Sequence, residues 1–149
     1  MRYISKSTEE TRAIAKEFLS TLEQGSKAVV VALQGDLGAA KTTFTQAVGS
    51  ELGIVENMQS PTFVIEKIYE IDPARSGQAG KGFKHLIHID AYRLESSDEL
   101  LRLGWGEIIK EPENIIFIEW PENVASIIPA DAKKVSFEFI DEETREIEI

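Results

Sequence analysis

Gly35-Asp36-Leu37-Gly38-Ala39-Ala40-Lys41-Thr42-Thr43 places a lysine and two hydroxyls at the end of a small-residue turn, a set of groups suited to holding a polyphosphate. Backbone N–H groups in such a turn point into one concave nest. A helix opening at Lys41 would add its positive N-terminal end. Lys41 would reach the β- and γ-phosphates, and the Thr42 hydroxyl would ligand Mg²⁺. The apolar run from Ala28 to Gln34 reads as a buried strand leading into the turn. Strand, phosphate loop and helix in that order are the core of a P-loop NTPase. The pattern G-x-x-x-x-G-K-[ST] has glycine before the lysine, where this chain has Ala40. A Cβ there crowds backbone that must approach a phosphate, or disfavours a positive φ. The bland alternative is an ordinary strand–turn–helix with a solvated Lys41. It accounts less well for Gly35, Gly38, Lys41 and Thr42 all falling at the required offsets.

A phosphate loop needs a carboxylate near its metal, commonly at the end of a neighbouring apolar strand. Glu119 follows Ile115-Ile116-Phe117-Ile118 and holds that position. It reads as a direct Mg²⁺ ligand, a group behind one, or a positioner of water; otherwise it is a strand-end acid in solvent. Asp90 also ends a strand and fits turn chemistry as readily as catalysis. His88 taken alone reads as a core or hydrogen-bonded histidine, and Trp105 and Trp120 as packing residues.

The elements that must position these groups follow in chain order. Arg2 to Ser5 predicts a short strand. Ser7-Thr8-Glu9-Glu10 is a capping box, and Ile14, Ala15, Phe18, Leu19 and Leu22 form the apolar face of a helix ended by Gly25. Phe44, Ala47, Val48 and Leu52 mark the buried face of the helix after the phosphate loop, with Gly53 as its C-cap. Pro61 excludes a helix, and Phe63 to Ile71 reads as a long strand. Asp72 to Gly82, rich in glycine and small polar residues, predicts a flexible hairpin loop. Its partner strand is Lys84 to Asp90, continuing into Ala91-Tyr92-Arg93. A second capping box, Ser96 to Glu99, opens a short helix ending at Gly104. Asn114 to Trp120 has the continuous apolar character of a strand buried on both faces in a parallel sheet. Pro121 and Pro129 bracket one more short helix. Val135–Ile140 and Arg145–Ile149 form a terminal hairpin, whose acids Asp141, Glu142, Glu143, Glu146 and Glu148 predict a solvated sheet edge that resists pairing. The expected fold is α/β: one domain over residues 1–149, a three-layer α/β/α P-loop arrangement with a mixed sheet and an inserted antiparallel hairpin.

The 149 residues suffice for one sizeable core. A net charge of −10 argues against independent binding to nucleic acid, which needs a basic footprint. The absence of cysteine excludes disulfides and thiolate zinc sites, and His85 and His88 cannot build a metal site alone. With no apolar leader and no run of membrane length, a cytoplasmic protein without membrane contact is expected.

Gly35 to Thr43, Ser60-Pro61-Thr62-Phe63, His88-Ile89-Asp90-Ala91-Tyr92-Arg93 and Glu119-Trp120-Pro121-Glu122, in that order and spacing, resemble the TsaE family, the bacterial ATPases of tRNA threonylcarbamoyladenosine synthesis. The similarity runs from the N-terminal helix to about Pro129. It implies that Gly38, Ala39, Ala40, Lys41, Thr42 and Thr43 cradle the phosphates of ATP, with Lys41 on β/γ and Thr42 on Mg²⁺. It implies that Glu119 is the second metal-linked residue, that Asp90 is needed for turnover, and that Ser60 to Phe63 is a switch-like segment. Ser7 to Thr11, with Thr11 itself a nucleotide contact, and the stretch near Pro129 would flank the adenine. The implied role is a slow Mg²⁺-dependent ATPase assisting TsaD and TsaB, with tRNA met only inside that assembly. Ala40 departs from the family glycine. Two other readings are a small-molecule kinase and a nucleotide-binding interaction module with negligible turnover. Kinases surround the transferring phosphoryl with several cations, whereas the six arginines here are scattered and only Arg93 lies in a motif. No N-K-x-D guanine motif exists, which disfavours a GTPase.

Overall fold

The computed structural model describes residues 1–36, 40–61 and 63–149. The described residues form one seven-stranded sheet from β1 (Arg2–Ser5), β2 (Val29–Gly35), β3 (Glu66–Glu70), β4 (His85–Asp90), β5 (Asn114–Glu119), β6 (Lys133–Phe139) and β7 (Arg145–Glu148), in the order β1-β7-β6-β2-β5-β4-β3. β2 lies between β5 and β6 and runs parallel to both, and β4 runs parallel to β5. The pairs β3–β4, β6–β7 and β1–β7 are antiparallel. The sheet is therefore mixed, as expected.

Strand periodicity divides the core in two. Val31, Leu33, Leu86, Ile115 and Phe117 face α1 (Thr8–Thr21) and α2 (Lys41–Glu51), joining Ile14, Phe18, Phe44 and Val48 in one cluster. Val30, Ala32, Ile87, Ile89, Ile116 and Ile118 point the other way, toward α4 (Ser97–Arg102), α5 (Trp105–Ile108) and the 3₁₀ segment Pro121–Ile127. The result is the three-layer α/β/α arrangement. Phe44 is fully buried one turn into α2, with its ring centroid 5.6 Å from that of Phe18 and 5.3 Å, edge-on, from that of Phe137. Burial of such a ring stabilises by roughly 1.5–3 kcal/mol, and here it pins the end of the helix that carries Lys41. The capping box forms in part, its return bond shifted by one residue from Ser7 to Lys6. The Ser7 hydroxyl accepts from the Glu10 N–H at 3.1 Å, and Glu10 returns a contact to the Lys6 N–H at 2.6 Å.

Several local expectations fail for identifiable reasons. The strand predicted from Phe63 begins only at Glu66, because the Pro61 carbonyl accepts both the Val64 and Ile65 N–H groups and curls the chain. Asp72 to Gly82 is not an open loop. Asp72 caps α3 (Pro73–Ser76) by accepting the Ala74 N–H, and the 3₁₀ turn Gly77–Gly80 follows. β4 stops at Asp90, since the Tyr92 N–H turns back to Asp90 Oδ1 and the Leu94 N–H to the Ala91 carbonyl. α1 ends at Thr21, with Leu22 already extended, four residues before Gly25. The acid-rich β7 is not a sheet edge: β1 pairs along it, and Arg2 bonds Glu148 at 3.1 Å. A strand from the opposite end of the chain thus covers the edge that the charges were expected to protect.

Candidate functional site

β2, β5 and β4 are adjacent and parallel, so their carboxyl ends meet at one edge of the sheet, the usual location for a ligand in open α/β folds. Gly35, Glu119 and Asp90 are the last residues of those strands, and Asp90 and Glu119 are in register. Parity does the rest. His88 and Asp90 share the face of Leu86, and Glu119 shares the face of Phe117, so all three side chains project toward α2. A cleft of about 860 Å³ opens there, large enough for a nucleotide, and Ala40, Lys41, Thr42, Thr43, Asp90 and Glu119 line it. Gly38 and Ala39 lie outside the described residues, as do Leu37 and Thr62.

Each functional side chain is held. Lys41, only 4% exposed, donates from Nζ to the Gly35 carbonyl at 2.5 Å and lies 4.3 Å from the Trp120 ring centroid. Asp90 Oδ1 accepts the Tyr92 N–H at 2.9 Å, and Oδ2 accepts the Ser60 hydroxyl at 3.1 Å. Glu119 Oε2 lies 2.7 Å from His88 Nε2, with both side chains buried. Thr11 lines the cleft and shares a 2.7 Å hydrogen bond with Ser5. The sheet itself requires glycine at position 35: at φ +144°, a Cβ would meet the Phe137 carbonyl oxygen at 2.5 Å.

Ala40 adopts the left-handed conformation, φ 77° and ψ 12°, at the N-cap of α2 without a side-chain cap. An L-residue in this region is strained by roughly 1–2 kcal/mol. Ala40→Gly should therefore raise the melting temperature, by about 2–4 °C per kcal/mol recovered, and bind ATP at least as tightly as the parent. Melting and calorimetry on the two proteins check this. A lower melting point for the glycine variant would show that the loop has adapted to alanine. Trp120 (φ 57°), which lines the cleft, and Ile65 (φ 70°), which bonds Asp90, are further left-handed non-glycine residues. The Ile65 carbonyl accepts the Asp90 N–H at 2.8 Å, so Asp90 is strapped to the Ser60–Ile65 segment through side chain and backbone. Strain of this kind collects at functional sites.

Some contributors were not legible. Trp120 packs against the far-face core, as read, but also lines the cleft, with its ring 5.0 Å from Tyr92; Trp105 is a buried core residue, as expected. The residues around Pro129 do not reach the cleft. Ile127, Ile128 and Ala132 pack against the cluster on the opposite face of the sheet. Glu142, Glu143 and Arg145, at the β6–β7 turn, face the N-terminal end of α1 across the cleft instead. No motif marks that turn; only the long-range pairing β1–β7 brings it there.

The model of the family described as "Threonylcarbamoyl adenosine biosynthesis protein TsaE" matches residues 5–147. A tRNA threonylcarbamoyladenosine biosynthesis protein TsaE of Treponema pallidum is 34% identical over 149 residues, covering 100% of this chain and 99% of the relative. That of Bacillus subtilis is 33% identical over 147 residues, covering 99% and 83%. The crystal structure of Bacillus subtilis YdiB superposes with a TM-score of 0.73 at 28% identity, over 99% of this chain and 82% of that one.

Proposed function

The chain belongs to the threonylcarbamoyl adenosine biosynthesis protein TsaE family, and on that footing we propose that it binds ATP with Mg²⁺ in the cleft and hydrolyses it slowly in support of tRNA threonylcarbamoyladenosine formation. The observation that carries the reading is the convergence of Lys41, Thr42, Asp90 and Glu119 on one cleft at the carboxyl ends of adjacent parallel strands. TsaD and TsaB homologues are the proposed partners, with tRNA encountered within their complex and the cytoplasm as the site of action. A net charge of −10 suits a protein that reaches RNA through such partners.

The donor set fits Mg²⁺. The Thr42 hydroxyl and the Glu119 carboxylate are hard oxygen donors lining one cleft and would hold the ion. When bound, the ion would supply positive charge that offsets the charge developing on the phosphates. Lys41 would exchange its contact with the Gly35 carbonyl for the β/γ-phosphates, and Thr42 and Thr43, opening α2, would supply hydroxyls and helix-terminal N–H groups. The Asp90 side chain, fixed by Tyr92 and Ser60, would orient the attacking water. Trp120 and Tyr92 would wall off that side of the cleft from solvent. Ser7, Thr8 and Thr11 with the β6–β7 turn would receive the base.

The test is calorimetry with ATP beside phosphate release from the pure protein, alone and with the TsaD and TsaB homologues. The expected result is ATP binding, slow release alone and faster release in the mixture. Absence of ATP binding would overturn the reading. Binding with no phosphate release in any mixture would reduce the protein to a nucleotide-binding interaction module.

A further inference from the structure

We infer that His88 is a positioning residue that sets Glu119 in the cleft by donating a hydrogen bond from Nε2, an inference that rests on the hydrolytic reading above. His88 does not line the cleft, so any effect it has on the reaction passes through Glu119, which does. The two side chains come together because of strand geometry. His88 is paired with Phe117 across β4–β5, and Glu119 is the next residue of β5 on the same face. Nε2 and Oε2 are 2.7 Å apart, and the residues are 1% and 3% exposed.

The second ring nitrogen decides the direction of the bond. Nδ1 is buried and has no partner among the described residues. A proton on Nδ1 would be a stranded donor in a dry site, a cost of about 1–3 kcal/mol. A proton on Nε2 meets a carboxylate oxygen and makes a charge-assisted bond. The proton therefore belongs to Nε2, and Glu119 Oε2 accepts. One carboxylate oxygen is thereby committed to His88, which fixes the side-chain torsions and leaves Oε1 for the cleft. Without that bond the carboxylate could rotate in a site where both of its oxygens are chemically equivalent. Partners that orient metal-linked groups in this way typically matter by about 10–100-fold when removed.

Two substitutions separate positioning from mere polarity. In His88→Gln the terminal amide nitrogen falls near the place of Nε2 and can still donate. In His88→Asn the amide falls near the place of Nδ1 and stops short of Glu119. Both are amides of similar polarity; the shorter asparagine also leaves a void, whose cost appears in the melting temperature, whereas lost positioning appears in kcat of the folded variant. The expected result is that His88→Gln keeps kcat for ATP hydrolysis within about three-fold of the parent. His88→Asn should lose on the order of ten-fold or more in kcat with KM for ATP little changed. Equal losses in the two variants, or a loss confined to KM, would overturn the inference.

A second measurement needs neither turnover nor a variant. Long-range ¹H–¹⁵N spectra of the imidazole in the nucleotide-free parent protein report which nitrogen carries the proton. A single Nε2–H tautomer supports the inference; an Nδ1–H tautomer overturns it, even if His88→Asn fails to fold. Failure of the hydrolytic reading would show separately, as a parent protein without phosphate release.

Discussion

Glu119→Gln and Asp90→Asn are each expected to slow ATP turnover by on the order of 10²–10³-fold, while ATP affinity and the folded circular dichroism spectrum should change little. Both acids end strands parallel to β2, Glu119 on its neighbour β5 and Asp90 on β4 beyond it, in register with one another, and both face α2. Their roles depend on charge delivered at a fixed place. Asparagine at 90 keeps an oxygen for the Tyr92 N–H, which Asp90 now accepts at 2.9 Å through Oδ1, so the turn survives. Its amide nitrogen replaces the oxygen that accepts from Ser60. Glutamine at 119 turns its oxygen toward His88 Nε2 and presents an amide to the cleft in place of a carboxylate oxygen. Neither change opens a cavity or strands a large apolar surface, and so the loss falls on the barrier and not on stability. Phosphate release under saturating ATP and Mg²⁺ measures it. Wild-type turnover in both folded variants would remove these acids from the reaction.

The residues that make these two acids comparable were legible because local pattern and function coincide there. An apolar run such as Ile115 to Ile118 fits a strand buried on both faces, and the strand indeed lies between β2 and β4. A small-residue turn followed by Lys-Thr-Thr admits few structures other than a loop opening a helix, and α2 begins at Lys41. Alanine at position 40 announced its strain in the same way, since the pattern demands a residue tolerant of positive φ. What escaped reading depends on contacts that composition does not mark, most of them distant in sequence. Phe63 to Ile65 has strand-like composition, yet Pro61 captures the N–H groups that a ladder would need. The charges of β7 suit an edge strand, but the edge is taken by β1 from the other end of the chain. Glu142, Glu143 and Arg145 reach the cleft only through that same pairing, and a turn of ordinary polar residues carries no mark of it. Trp120 shows the limit most clearly: its side-chain type fits a core as well as a cleft, and only its left-handed backbone at the end of β5 turns the ring toward Lys41.

Lys41→Met is expected to weaken ATP binding by about 1.5–3 kcal/mol, the worth of a hydrogen bond to a charged group, which is roughly a ten- to 150-fold rise in Kd. Methionine keeps the buried aliphatic stem and removes only the ammonium, so the comparison isolates the charge. That ammonium now has two partners, the Gly35 carbonyl at 2.5 Å and the Trp120 face at 4.3 Å. The first is a charge-assisted bond and the second a cation–π contact of about 0.5–2 kcal/mol. Both must be loosened when Lys41 turns to a phosphate, so its net contribution to binding is smaller than the bare phosphate contact. This is why the expected loss sits in the range of one charged hydrogen bond and not several. The same two contacts predict a modest loss of stability in the variant, because the Gly35 carbonyl loses its donor. Arginine would not rescue it: a planar fork needs more room than a point charge on a stem that is 4% exposed. Calorimetry of ATP against Lys41→Met, Lys41→Arg and the parent, each first shown to be folded, decides the matter. Equal affinity in the parent and the methionine variant would mean that the lysine never leaves Gly35 and Trp120, and the phosphate role assigned to it would fall.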